Sequence, residues 1–219
     1  MLSPSAKPVT ADMPPFKVRG AHTRREDLTA STVDVFGQFK ASGTVTAGRL
    51  KVSGECRIAR HCLAEQVDSF GSLRVHSLEA AHVRSSGYLS AAEDITAITF
   101  LAKGAVQLGR LTVAESVIIR LSARSRINQL ITQGSLTVSG SLLAFPLLRR
   151  PFHRLDCRLL EGVSLNLEHT SAEKVCGSRI SIGPGCHIQE VRYTESLHID
   201  KASTVTKIIK LNGPGGTPE

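Results

Sequence analysis

One spacing constrains this chain more than any other feature. Gly37, Gly54, Gly71, Gly87 and Gly104 recur about every 17 residues, a regularity that marks a repeat architecture. Four positions before each glycine stands an apolar residue: Val33, Leu50, Val67, Val83 or Phe100. Two positions after it come Phe39, Cys56, Leu73, Leu89 and Val106. A unit repeated at constant phase signals a stacked architecture, in which no copy can bury its inner face alone. The copies read VDVFGQFKASGTVTAGR, LKVSGECRIARHCLAEQ, VDSFGSLRVHSLEAAH, VRSSGYLSAAEDITAIT and FLAKGAVQLGRLTVAES, with a degenerate sixth from Val117.

Inside each copy the apolar residues alternate, as in Val33 and Val35, Phe39 and Ala41, Val45 and Ala47. Period-2 alternation sends successive side chains to opposite faces, so these are short half-buried strands rather than helices. Glycine or small polar residues fall between them, where the chain turns a corner. The Asn-Gly and Asp-Gly signals of antiparallel hairpins are absent from the copies. A coiling chain that stacks each copy on the last fits better. The expected fold class is all-β: a parallel β-helix with ~17-residue rungs of about three strands each, interrupted by an irregular excursion.

The domain reading follows from where the period holds. Residues 1–26 are expected to be a disordered, basic, Pro-rich tail, because four prolines and scattered Lys and Arg offer little to bury. A first β-helix block spans 27–141, its last rung drawn from 123–141. A second block spans 155–211, where Val163, Ile180 and Leu197 recur at the same spacing, as do Leu165, Ile182 and Ile199, and Ser171, Ile188 and Val205. Residues 212–219, with GPGG, are expected to be a flexible tail. The core candidates are Val33, Leu50, Val67, Val83, Phe100, Leu165, Ile182 and Ile199.

Between the blocks, 142–154 breaks the alternation. It combines Leu142, Leu143, Phe145, Leu147, Leu148 and Phe152 with Arg149 and Arg150, while Pro146 and Pro151 prevent a long helix. This apolar and basic excursion is the one local candidate site. Three roles suit it: a lid over the β-helix edge, a protomer contact, or contact with a bilayer surface.

The remaining chemistry is sparse. The formal charge of +8 favours acidic partners such as nucleic acid or anionic lipid. No aromatic signature of an RNA-binding module accompanies it, so nucleic acid is not the expected partner. Five cysteines without a CxxC, no apolar signal-peptide core and no apolar run of membrane-spanning length point to reduced thiols in a cytoplasmic protein. Cys56, His61 and Cys62 come nearest to a metal-ligand cluster, yet Cys56 fills the repeat's apolar slot, so no metal is expected. No phosphate loop, dinucleotide fingerprint or nucleophile elbow occurs, and Glu93 and Asp94, adjacent on a strand, would point to opposite faces. ISIGPGCHI (180–188) matches one or two units of the hexapeptide acyltransferases, with His187 as the conceivable base, but the six-residue period is not sustained. The expectation is a chain without catalytic residues or cofactor, with such an acyltransferase as the alternative.

Over about 24–211 the chain resembles the bactofilins, polymer-forming bacterial cytoskeletal proteins, particularly the form found in Gram-positive spore formers. The resemblance rests on RRED at 24–27, on KVSGECRI, DSFGSLRV and RSSGYLSA, on SARSRINQL at 122–130, and on LLEGVSLNLEHTSAEKVCGSRISIGPGCHIQEVRYTESLHID at 159–200. Cys176, Ser178, His61, His76 and His82 depart from the pattern. The resemblance implies a right-handed β-helix that joins end to end into filaments without bound nucleotide. It also implies a scaffold for cell-envelope or motility machinery, in the cytoplasm and in some cases at the inner face of the membrane. Open strand edges are templates for pairing, which gives a physical reason to expect self-assembly.

Overall fold

The computed structural model of the protein describes residues 13–140 and 153–211. They form one 14-stranded parallel sheet wound into a β-solenoid of about 11 turns, without a helix. The strands are β1 (Phe16–Val18), β2 (Ala21–Arg24), β3 (Leu28–Val35), β4 (Gln38–Ala41), β5 (Val45–Val52), β6 (Glu55–Ser69) and β7 (Ser72–Ser85). There follow β8 (Tyr88–Leu121), β9 (Ser125–Thr132), β10 (Ser135–Gly140), β11 (Leu155–Leu167), β12 (Thr170–Ile182), β13 (His187–Ile199) and β14 (Thr204–Lys210). The longer strands continue around corners.

Each rung has three faces. Val33–Val35 belongs to face A, Gln38–Ala41 to face B and Val45–Ala47 to face C. On face A, Val33 pairs with Leu50 and Leu50 with Val67; on face B, Phe39 pairs with Cys56 and Cys56 with Leu73. The inward residues form one continuous core, with Phe39, Leu50, Leu73 and Phe100 fully buried. Seven of the eight core candidates are buried, and Ile199 is only partly so, because no described strand follows it on face A.

The glycines mark the corner from face A to face B. A Cβ at Gly54 would run into the carbonyl oxygen of Gly37, and one at Gly71 into that of Gly54. Only glycine lets the stacked corners approach this closely. The same contact joins Gly37 to Gly20, one rung earlier than the repeat seen in sequence. This corrects the tail boundary at 26: β1 pairs with β3 and β2 with β4, so residues 16–24 supply two faces of a first rung. Phe16 and Val18 stand one repeat before Val33 and Val35, pair with them, and continue their inward columns. The polar AHTR of β2 hid the continuation.

Two further expectations change with the register. The second block begins with a shortened rung: Leu165 pairs with Ile180 and Leu167 with Ile182, while Val163 is exposed. Ala172, not Ser171, pairs with Ile188. The step from Leu165 to Ile180 is two residues short of the period and keeps the in–out parity, whereas the step from Ala172 to Ile188 is one short and inverts it, so a period count alone slides onto the wrong partner. Glu93 and Asp94 do not straddle the sheet. Both are exposed where the register shifts between Val75 and Leu78, and they face His76 at 3.3 Å and Arg110 at 3.7 Å.

The two blocks are one stack. β11 pairs with β9 and with β10, and Leu155 lies directly over Ser125 although the interruption separates them along the chain. The interruption therefore inserts at one A-to-B corner without breaking the sheet. Arg154 already belongs to the stack, since its carbonyl accepts from the Ser125 amide at 2.9 Å. The candidate residues Leu142, Leu143, Phe145, Leu147, Leu148, Arg149, Arg150 and Phe152 lie outside the described residues.

Candidate functional site: the two ends of the stack

A parallel solenoid has no built-in stop, so its chemistry concentrates where stacking ends. Interior strands pair on both edges, whereas β14 pairs only with β13, and β1 and β2 only with β3 and β4. Their outer edges carry backbone groups without a partner strand among the described residues.

Apart from the buried Val18, the first rung fills its inward positions with polar and aromatic groups. His22 occupies the slot above Phe39 and stacks on it, the ring centroids 6.1 Å apart and the planes 17° from parallel. Phe16 meets Phe39 at 5.7 Å and His22 at 5.6 Å. Arg24, in the slot above Ala41, holds its guanidinium 5.8 Å from the Phe16 ring, a cation–π contact. His22 is exposed, while Arg24 is half-buried with its Nε enclosed and without a hydrogen-bond partner, so this end is partly covered. Leu28–Val35 is thus an interior strand, paired with β5 and, over Val33–Val35, with β1.

The last rung is built differently. Its inward positions hold Leu197, Ile199, Val205 and Ile208, all aliphatic. The first three are partly buried against the core, and Ile208 is 51% exposed, with Leu211 beside it at 40%. In the preceding rung the equivalent residues Ile180, Ile182, Ile188 and Val191 are buried. Among the described residues, the two sets differ in having a following rung or not.

β14 is nevertheless anchored. Glu190 on β13 accepts from Arg192 at 2.6 Å and reaches Lys207 of β14 at 3.2 Å. These hydrogen bonds hold its carboxyl below the ordinary glutamate range. The Leu211 amide donates to the Tyr193 carbonyl at 2.7 Å.

Cys56 and Cys62 are fully buried; burial pushes the Cys56 thiol up to about 12, and burial with the neighbouring Cys56 raises Cys62 as well. Among the described residues no group of His, Cys, Asp and Glu is arranged to hold a metal, and His61 turns to Ser77 at 2.9 Å. Burial also lifts Cys157 to about 12 and raises Cys176 and Cys186. At the Gly183–Gly185 corner Gly185 takes the left-handed conformation (φ 74°), and Ile182 and Ile188 point into the core. His187 points outward into a face-B groove of about 650 Å³ shared with Asp156, Arg158 and Glu173. No helix among the described residues is long and apolar enough to cross a membrane.

Comparison with known proteins adds one relative. Over 108 residues the chain is 32% identical to the uncharacterized protein YhbE of Bacillus subtilis (strain 168), covering 48% of this chain and 45% of that one. The chain thus spans less than half the length of the curated relative it matches. No family model and no solved structure matches.

Proposed function

We propose that this protein is a non-enzymatic scaffold that self-assembles end to end, without nucleotide, into filaments that position cell-envelope or motility machinery in the cytoplasm. The observation that carries the reading is the open aliphatic last rung of the described residues: Leu197 and Ile199 on β13, and Val205 and Ile208 on β14, whose outer edges have no partner strand among the described residues. A second copy stacked there supplies both missing terms, apolar cover and backbone partners. The resemblance to bactofilins in the glycine-centred rungs and in 159–200 supports the same reading. Contact with the inner face of the membrane, and the part taken by 142–154, belong to this proposal and not to the described geometry.

The competing reading is a hexapeptide-type acyltransferase. It has His187 in an open groove, yet among the described residues no hydrogen bond orients that imidazole. Sedimentation of the purified protein with and without ATP or GTP separates the two. A nucleotide-independent scaffold pellets in both conditions; an acyltransferase stays in the supernatant as a discrete oligomer.

A further inference from the structure

The outward ladders on two faces follow opposite charge rules. On face A, Lys17, Asp34, Lys51, Asp68 and Arg84 succeed one another in register, so every cation has an anion as its neighbour. Alternation of this kind stabilises stacked strands. On face B, Lys40, Arg57 and Arg74 are also successive register partners, and all three are cations. Three like charges at the ~4.8 Å strand spacing oppose stacking, and none is offset by a carboxylate within 4 Å among the described residues. The nearest acid on that strand, Glu55, accepts instead from Gln38 at 3.0 Å.

The ladder opens into a groove of about 760 Å³ on the same face. Its lining includes Arg57, Arg74, Arg124, Arg126 and His76 and not one Asp or Glu. Arg124 is paired with Asp156 at 2.8 Å and His76 meets Glu93 at 3.3 Å. Arg57 and Arg126 point outward with no carboxylate within 4 Å among the described residues, although Asp156 is the next register partner of Arg126, and Arg74 lies 5.4 Å from the Tyr88 ring. Ser90, the partner of Arg74, and Gln107, the partner of Arg126, add hydrogen-bonding groups between the cations. From Arg57 to Arg126 is four rungs, roughly 19 Å at the strand spacing.

We infer that this groove binds a linear phosphate polymer lying along the solenoid axis. Guanidinium groups match phosphate oxygens bidentately, and a row of them favours repeated charge over a single ion. A concave groove does not fit a flat bilayer, and the lack of stacked aromatic platforms argues that phosphate rather than base is read. No segment of the chain outside the described residues suits the groove, for 141–152 carries Arg149 and Arg150 and the two ends carry only Asp12 and Glu219 as acids.

The test compares the full-length protein with two variants of equal charge. One is R57Q/R74Q/R126Q in the groove; the other, R84Q/R120Q/R179Q, removes three exposed arginines elsewhere. Circular dichroism establishes that all three proteins share one fold. Binding of labelled inorganic polyphosphate and of an oligothymidylate is then read by fluorescence anisotropy at several salt concentrations. The groove variant should lose at least about tenfold in affinity for both, and its salt slope for the oligonucleotide should fall by about 2, while the other variant binds as the parent does. Equal loss in both variants, or no binding by the parent, overturns the groove. Oligothymidylate binding without polyphosphate binding overturns phosphate recognition in favour of the base. Displacement by orthophosphate at matched phosphate concentration overturns the polymer. Pelleting of parent and groove variant alike would show that assembly stands independently of this result.

Discussion

Ile182 and Ile199 occupy the same inward slot in successive rungs, and they meet different fates. Ile182 lies between Leu167 and Ile199 and is fully buried; Ile199 has a rung on one side only among the described residues and is partly open. Sequence, strand and face are equivalent, so the difference belongs to position in the stack. Burial here comes from the next rung. The first rung answers the same problem with His22 and Arg24 over Phe39 and Ala41, where the last rung leaves aliphatic groups. The two ends are therefore unlike in chemistry although alike in topology.

The largest effect is expected from a charge in the interior slot. Ile182→Asp or Leu73→Asp places a carboxylate where no solvent or partner reaches, so loss of the folded state is expected, with a cost of several kcal/mol on the scale of unpaired buried charges. Circular dichroism and thermal melting read it directly, and a variant that melts like the parent removes that position from the core. Gly54→Ala should come next, at ~2–4 kcal/mol, because its methyl meets the Gly37 carbonyl and backbone has to move. A stability equal to the parent's would show that the corner is looser than its geometry.

Smaller effects sharpen the difference between interior and end. Thiol titration at neutral pH should label Cys176, half-exposed, before Cys56 and Cys62, which are buried and whose thiolates are strongly disfavoured. Fast reaction of all five cysteines would mean that the interior opens. The smallest effect concerns β14. The Glu190 carboxyl is lowered, so its contribution is full above the ordinary glutamate range and is lost as pH falls through the depressed value. Hydrogen exchange should therefore rise in 204–210 at acid pH before it rises in 170–182. Uniform protection of both segments would discount the Glu190–Lys207 link.

The fold was legible because close packing at the glycine corner and in–out alternation leave a period that strand twist cannot blur. Gly20 stands in phase with that ladder and signals the first rung, but His22 and Arg24 in inward slots mask it. The shortened rung was not legible: a deletion at the corner that keeps parity lets Val163 pass for the partner of Ile180 that Leu165 is. The open end was legible only as topology. Which rung is last, and that it is aliphatic, depends on register. The excursion, picked out for its Leu, Phe and Arg content, lies outside the described residues.

Assembly through the last rung is tested most directly by negative-stain electron microscopy of the nucleotide-free protein beside Ile199→Asp/Ile208→Asp. Both residues already face solvent in part, so circular dichroism should show the double variant folded. Filaments from the parent and none from the folded variant are expected. Filaments of equal length from both would contradict assembly through this end.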